Sequence, residues 1–279
     1  MTLLQVLAIA IAAPLLHGAM KRLRARLQGR PGPSIWQPYR DLRKLWVKDA
    51  VLPEGTGWIV ACAPGVSLGV AITLAAAVPL WSQPPAALDV IVLALLLALG
   101  RWFVAVAALD TRSGFTAMAA SRAMTLSSLV EPALLLALLG ARVAGSSLLI
   151  PHGNLSVAGA LALVAFFIVT IAETARIPVD NQETHYELTM IHEGQGLEYS
   201  GWHLALLELA GYVRQFAFLT IAASLIAPGP LAALVGAAAL ATLITLIENA
   251  FARLRLFDIP QLLTTAILIA IASVAVRIA

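Results

Sequence analysis

Four glutamates stand in stretches that offer them no water. Glu131 lies about five residues into an apolar run that starts at Leu126, beside Pro132. Glu208 lies about seven residues into the run from Gly201, or ~10 Å at helical rise. Glu173 closes a third run and Glu248 a fourth, and Arg101 and Arg214 are likewise enclosed by apolar sequence. Glu208, Tyr212 and Gln215 recur at i, i+4 and i+7, which places them on one helical stripe. Thr242, Thr245 and Asn249 recur at i, i+3 and i+7 with Glu248 adjacent, and such hydroxyl stripes usually serve helix packing. Ionisable groups at membrane depth are costly; they face an interior or a water path and commonly relay protons. The competing chemistry is static, with Glu–Arg pairs that neutralise one another and hold a bundle together.

The densest run of acid is Glu173 to Tyr212. Glu173, Asp180, Glu183, Glu187, Glu193, Glu198 and Glu208 are seven of the chain's fifteen acids. A solvated loop explains the middle of this run but not its two ends. His192-Glu193 opens like a zinc motif, but Gly196 occupies the place of the second histidine. Gly194 and Gly196 lack the third glycine of a nucleotide loop, and no strand precedes them. Haem would need paired histidines at depth, and His17 and His203 both fall near inner helix ends. His185 and His192 read as solvated or partner-facing. The one cysteine, Cys62, excludes an internal disulfide and an iron–sulfur cluster held by this chain.

These residues need a membrane frame. The 279 residues are 60% hydrophobic and 12% charged, half the charge of a soluble domain (about 25%). The chain reads as an all-α polytopic membrane protein, a single integral domain over 1–279. Eight spans are expected, at roughly Leu3–Met20, Trp58–Leu80, Leu88–Leu109, Leu126–Val143, Leu155–Ala175, Gly201–Ala227, Leu231–Ala250 and Ile259–Ile278. The first has its charges after the apolar core, which predicts an uncleaved helix with its N-terminus outside. The inner loops 21–57, 110–125, 176–200 and 251–258 then hold nine, two, one and two basic residues, fourteen of eighteen. Both termini are expected outside. The basic cluster marks a cytoplasmic loop and argues against a nucleic-acid site.

Within the first inner loop, Gly29-Arg30-Pro31-Gly32-Pro33 predicts a sharp, rigid path suited to docking a partner. Ser34 to Ala50 is amphipathic after Pro38, which suggests a helix lying at the membrane face. Asp110 to Ser128 is small and hydroxyl-rich, and reads as a short helix under the bundle or as plain spacer.

Four blocks together resemble one family. They are Gly29–Lys48 (GRPGPSIWQPYRDLRKLWVK), Ser121–Pro132 (SRAMTLSSLVEP), Ala172–Gly201 (AETARIPVDNQETHYELTMIHEGQGLEYSG) and Glu248–Pro260 (ENAFARLRLFDIP). The chain is similar to the membrane subunit that joins the two arms of respiratory complex I. It is more similar to the counterpart in membrane-bound nickel–iron hydrogenases of the formate hydrogenlyase and hydrogenase-4 type. It departs in having Val179 where the family has phenylalanine, and Ala123 where an acid commonly follows SR. It also has ARLRLFDIP in place of the complex I ending, which favours the hydrogenase branch.

The resemblance implies a non-catalytic coupling subunit of an inner (cytoplasmic) membrane in a bacterium or archaeon. Its partners would be nickel–iron hydrogenase-like large and small subunits, a ferredoxin-like subunit on the cytoplasmic face, antiporter-like membrane subunits and lipid. Iron–sulfur clusters and the nickel–iron centre would sit on those partners, with no cofactor in this chain. Glu131, Glu173, Glu208, Glu248, Tyr212, Arg101 and Arg214 would form a proton path. Arg30, Pro31, Gly32, Arg40, Asp41, Lys44, Arg176, Asp180, Glu183, Glu187, Glu193, Glu198 and Tyr199 would form the docking and coupling loops. The alternatives are a complex I-type quinone site near Glu187, Glu193 and Arg40, and a free-standing ion transporter.

Overall fold

The computed structural model describes residues 2–81, 88–141, 156–181, 190–227 and 229–278. Those residues form ten helices: α1 (Thr2–Leu27), α2 (Gln37–Val47), α3 (Trp58–Ala77), α4 (Val90–Asp110), α5 (Gly114–Ala141), α6 (Val157–Glu173), α7 (His192–Gln195), α8 (Gly201–Ile226), α9 (Pro230–Ala250) and α10 (Ile259–Ile278). Seven are long and apolar enough to cross a membrane, and α6 is a shorter apolar helix. The expected eight-helix membrane bundle is the observed architecture. Glu183, Glu187, His185 and Arg142 lie outside the described residues.

Two boundaries differ from expectation. The first span was expected to stop near Met20, yet α1 continues to Leu27. The added stretch, KRLRARL, is built of good helix formers, and Arg24 and Arg26 in the last turn complement the helix dipole. Gly29, at φ 75°, ends it. The chain then runs back down α1, since the Arg30 N–H bonds the Ala25 carbonyl at 2.9 Å and Tyr39 donates to the Ile11 carbonyl. Any Cβ on Gly18 would strike the Ile35 carbonyl, so the two segments lie in direct contact. This return sets α2 against α1 and α8. Trp36 and Trp46 are exposed along with Arg40, Arg43 and Lys44, as expected of a surface helix.

The second difference is α5. The Asp110–Ser128 segment is neither separate nor spacer: from Gly114 it is the first half of a 28-residue helix. Its alanines favour helix, and no glycine or proline breaks it before Pro132.

α8 is the centre, packing on α1, α2, α3, α6 and α9. From Gln215 to Ser224 every residue is buried, as a helix apolar on all sides requires. α10 fills the groove between α5 and α6, where Ser273 donates to the Ala158 carbonyl at 2.7 Å. Gly140 makes that fit possible, because its missing Cβ would occupy the place of the Ser273 hydroxyl. Gln5, fully buried, closes the opposite end of α3 with bonds to the Ala75 and Val78 carbonyls at 3.1 and 2.6 Å.

Gly140→Ala is therefore expected to destabilise the bundle by about 1–3 kcal/mol. Adding Ser273→Ala should restore part of the loss. Thermal unfolding of the purified chain in detergent measures both; an undisturbed single variant would rule out the close approach.

Candidate functional site

α6 stops early. Its C-cap, Thr174, passes into Ala175 at φ 53°, and the Arg176 N–H reaches back to the Ile171 carbonyl at 3.0 Å. The chain from Thr174 to Asp180 stays inside the protein although it is not helical. Only Pro178 of these residues is more than slightly exposed. Non-helical backbone is tolerated at such depth only where protein or a water-filled cavity encloses it. Here it edges a cavity of about 460 Å³ walled also by residues of α1, α4, α5 and α8.

Three ionic groups meet this cavity. In the first, Arg101 on α4 contacts Glu173 and lies 3.1 Å from Glu131. In the second, Arg176 donates to Glu248 at 3.2 Å, to Gln215 at 2.8 Å and to His17 Nδ1 at 3.0 Å. An arginine has no lone pair to offer, so His17 Nδ1 accepts and the ring proton sits on Nε2. Arg24 approaches the other Glu248 oxygen at 3.9 Å. In the third, Tyr212 donates to Glu208 at 3.0 Å while its ring packs on His17, with centroids 4.3 Å apart. Arg214 lines the same cavity; its buried Nε has no hydrogen-bond partner and no acid pairs with it among the described residues.

The charges are allotted unevenly. Two acids share Arg101, two arginines share Glu248, Glu208 has a tyrosine, and Arg214 has no acid among the described residues. A set of static neutral pairs would look different. The expected stripe Glu208–Tyr212–Gln215 faces the cavity, although Gln215 belongs to the Arg176 group. The α9 stripe does not hold together. Thr245 and Glu248 are buried, while Thr242 and Asn249 face outward.

Glu131 is a further correction. It does not line the cavity and reaches it only through Arg101. On α5 the buried face runs through Val130, Ala133 and Leu134, which leaves position 131 at the rim of that face.

Three residues expected on the docking surface lie inside instead. Arg176 is 5% exposed, Asp180 1% and Tyr199 4%. Each is held by bonds to another segment, which hydropathy alone does not reveal. Asp180 accepts from the His192 N–H at 3.0 Å and meets the His192 ring at 3.3 Å and Arg253 at 3.2 Å. His192 is thus a structural partner rather than a solvated group. Tyr199 donates to the Val60 carbonyl at 2.9 Å, and burial pushes its hydroxyl pKa up. The His203 ring stacks on Trp202, with centroids 3.7 Å apart. Arg30, Pro31, Arg40, Lys44 and Glu193 are exposed, with Gly32, Asp41 and Glu198 half-buried. Sequence reasoning missed His17, Arg24 and Arg253 as site residues. The signal for His17 was a lone polar residue in an apolar helix.

Residues 1–278 match the NADH dehydrogenase family. The chain belongs to that family. It is 37% identical to formate hydrogenlyase subunit 4 of Escherichia coli, over 93% of this chain and 92% of that protein. It is also 37% identical to hydrogenase-4 component C of the same organism, over 81% and 74%. An NADH-quinone oxidoreductase subunit of Salinibacter ruber is 28% identical over 75% and 66%. Among solved structures, a chain of an archaeal respiratory membrane complex, the membrane-bound sulfane sulfur reductase, shares the fold. The TM-score is 0.82 at 20% identity, covering 99% of this chain and 98% of that one.

In this NADH dehydrogenase family member the EYSG block is a joint. Ser200 exchanges two hydrogen bonds with Val51, at 2.8 and 2.9 Å. Gly201, at φ 54°, lies so close to the Lys48 and Asp49 carbonyls that no side chain fits. The block ties the loop after α7 to the loop after α2.

Burial would raise the Asp180 carboxyl pKa, but the His192 bonds and the Arg253 charge outweigh it and leave it below the usual value. A depressed carboxyl pKa stabilises the fold above its unfolded value, and that stability is lost as pH falls through the folded one. Protease protection of residues 190–200 should therefore hold at neutral pH and fail in acid. Asp180→Asn should expose the loop already at neutral pH, at a cost of roughly 1–3 kcal/mol. Equal protection of variant and parent at pH 7 would refute the tie.

Proposed function

We propose that the chain is a non-catalytic membrane subunit of a multisubunit energy-converting redox complex of the membrane-bound nickel–iron hydrogenase type. It anchors a cytoplasmic redox arm and couples electron transfer there to translocation of protons or sodium. The uneven sharing of carboxylates and guanidinium groups around one cavity supports this reading best. Arg101 is shared by Glu131 and Glu173 while Glu248 is held by two arginines, so the charges are not matched in neutral pairs. The relatives' names, formate hydrogenlyase and hydrogenase-4, favour the hydrogenase branch.

In this reading the charged end of the bundle is cytoplasmic and both termini lie on the other side of a bacterial or archaeal inner membrane. Arg30, Pro31, Arg40, Lys44 and Glu193 offer the docking surface. Nickel–iron large and small subunits and a ferredoxin-like subunit seat there, and antiporter-like subunits lie alongside in the membrane. Iron–sulfur and nickel–iron centres belong to those partners, since Cys62 is this chain's one thiol. Protons move between Glu208, Tyr212 and Glu173, with Glu131 beyond Arg101 as the outlet and Arg214 biasing the path.

A quinone site is the second reading, favoured by the 460 Å³ cavity and the NADH-quinone oxidoreductase relative. Of the residues expected near its headgroup, Glu193 lines the cavity while Arg40 does not.

Glu208→Gln and Glu131→Gln should each lower ion translocation by about tenfold or more while the complex still assembles and passes electrons. Translocation in inverted vesicles, compared with donor oxidation by the same vesicles, measures this. Normal translocation in both variants would remove the two residues from the path.

A further inference from the structure

The outward face of α5 bears a polar pattern that the ionic cavity does not explain. Ser121, Thr125 and Ser128 are exposed there, and Glu131 continues their helical register. Glu131 lies ten residues before the end of α5 at Ala141, or ~15 Å, near the middle of a hydrocarbon layer about 30 Å thick. Its side chain is 43% exposed, and Arg101 lies 3.1 Å from one of its carboxylate oxygens. A carboxylate turned to lipid at that depth is among the most costly arrangements a membrane helix can adopt.

The hydroxyls add direction. Thr125 donates to the Ser121 carbonyl at 2.9 Å, and Ser128 to the Thr125 carbonyl at 2.7 Å. Their protons are used within the helix, so what they turn outward is lone pairs. With Glu131 the face becomes a row of acceptors ending in a negative charge. Met118 and Met124, exposed beside them, add adaptable apolar contact. The outward face of α4 is different: Ile91, Leu95 and Leu99 suit lipid.

We propose that the α5 face formed by Ser121, Thr125, Ser128 and Glu131 seats a membrane-spanning helix of another subunit, one that presents donors to the hydroxyls and a lysine or arginine to Glu131. Small hydroxyl residues let such a helix approach closely. The inference rests on the chain's place in a multisubunit membrane complex, and not on Glu131 carrying protons.

The intact complex in its native membrane provides the test, with Cys62→Ser removing the chain's one thiol. Thr125→Cys, Ser128→Cys and Met124→Cys, each labelled with a benzophenone maleimide and irradiated, should form adducts with a second membrane subunit. Met124→Cys leaves every hydroxyl of the face intact. Leu95→Cys on α4 should give lipid adducts. Peptide mapping should find a lysine or arginine within about a turn of the cross-linked residue. Lipid adducts alone at all three α5 positions, or a captured helix without a basic residue, overturn the proposal. Cross-links formed while Glu131→Gln pumps normally would keep the docked helix and reject the proton role. Lost pumping without cross-links would do the reverse.

Discussion

A helix that stops before the membrane does governs this molecule. α6 has 17 residues, about 25 Å, short of the ~30 Å that a straight span needs. Its last residue is Glu173, and the chain beyond it runs in turns, with the Val179 and Asp180 N–H groups both donating to the Arg176 carbonyl at 2.9 and 3.1 Å. That chain survives at depth because side chains and carbonyls from elsewhere take up its polar groups. Leu254 donates to the Pro178 carbonyl at 2.9 Å, Asp180 binds His192 and Arg253, and Arg176 finds three acceptors on α1, α8 and α9. The cavity follows from the same cause, since irregular chain fills space less completely than a helix would.

The spans were legible because hydropathy reports lipid contact directly. Their charged ends were not. α1 runs on through KRLRARL and α5 begins at Gly114, since helix propensity does not stop where apolar sequence does. The polar stripe of α8 was readable from spacing alone, because period 3.6 fixes which residues share a face. Its division of labour was not, because Gln215 answers to Arg176, a residue 39 positions away. The same limit explains Arg176, Asp180 and Tyr199. A charged or phenolic residue between spans reads as solvent-facing unless the partner that draws it inward is known, and those partners are the distant Glu248, Arg253 and Val60.

The two ends of the bundle differ in kind. Away from the charges, helices meet closely: Gln5 bonds the end of α3, Ser273 bonds the start of α6, and Gly236 lies against Ala223 where α8 meets α9. Close-packed interiors resist small shifts. At the charged end most contacts are ion pairs and hydrogen bonds between segments far apart in sequence. These depend on distance and direction, so each holds only while both segments keep their places.

Arg176 is the residue through which several of these contacts are linked. Its partners sit on helices, but it sits on the short non-helical segment between Glu173 and Asp180. A shift of that segment would lengthen its bonds to Glu248, Gln215 and His17 together. Removing one member of a buried ion pair leaves an uncompensated charge and costs about 3–5 kcal/mol. Glu248 would keep Arg24 at 3.9 Å, so the charge left without its partner is the Arg176 guanidinium. Glu173 lies at one end of the same segment, so the Arg101 group would respond to that movement as well. Asp180 at the other end ties the segment to His192 and Arg253, on the two loops that any partner at this face would meet first. Glu173 and Asp180 are thus joined through a short run of non-helical backbone that the protein encloses.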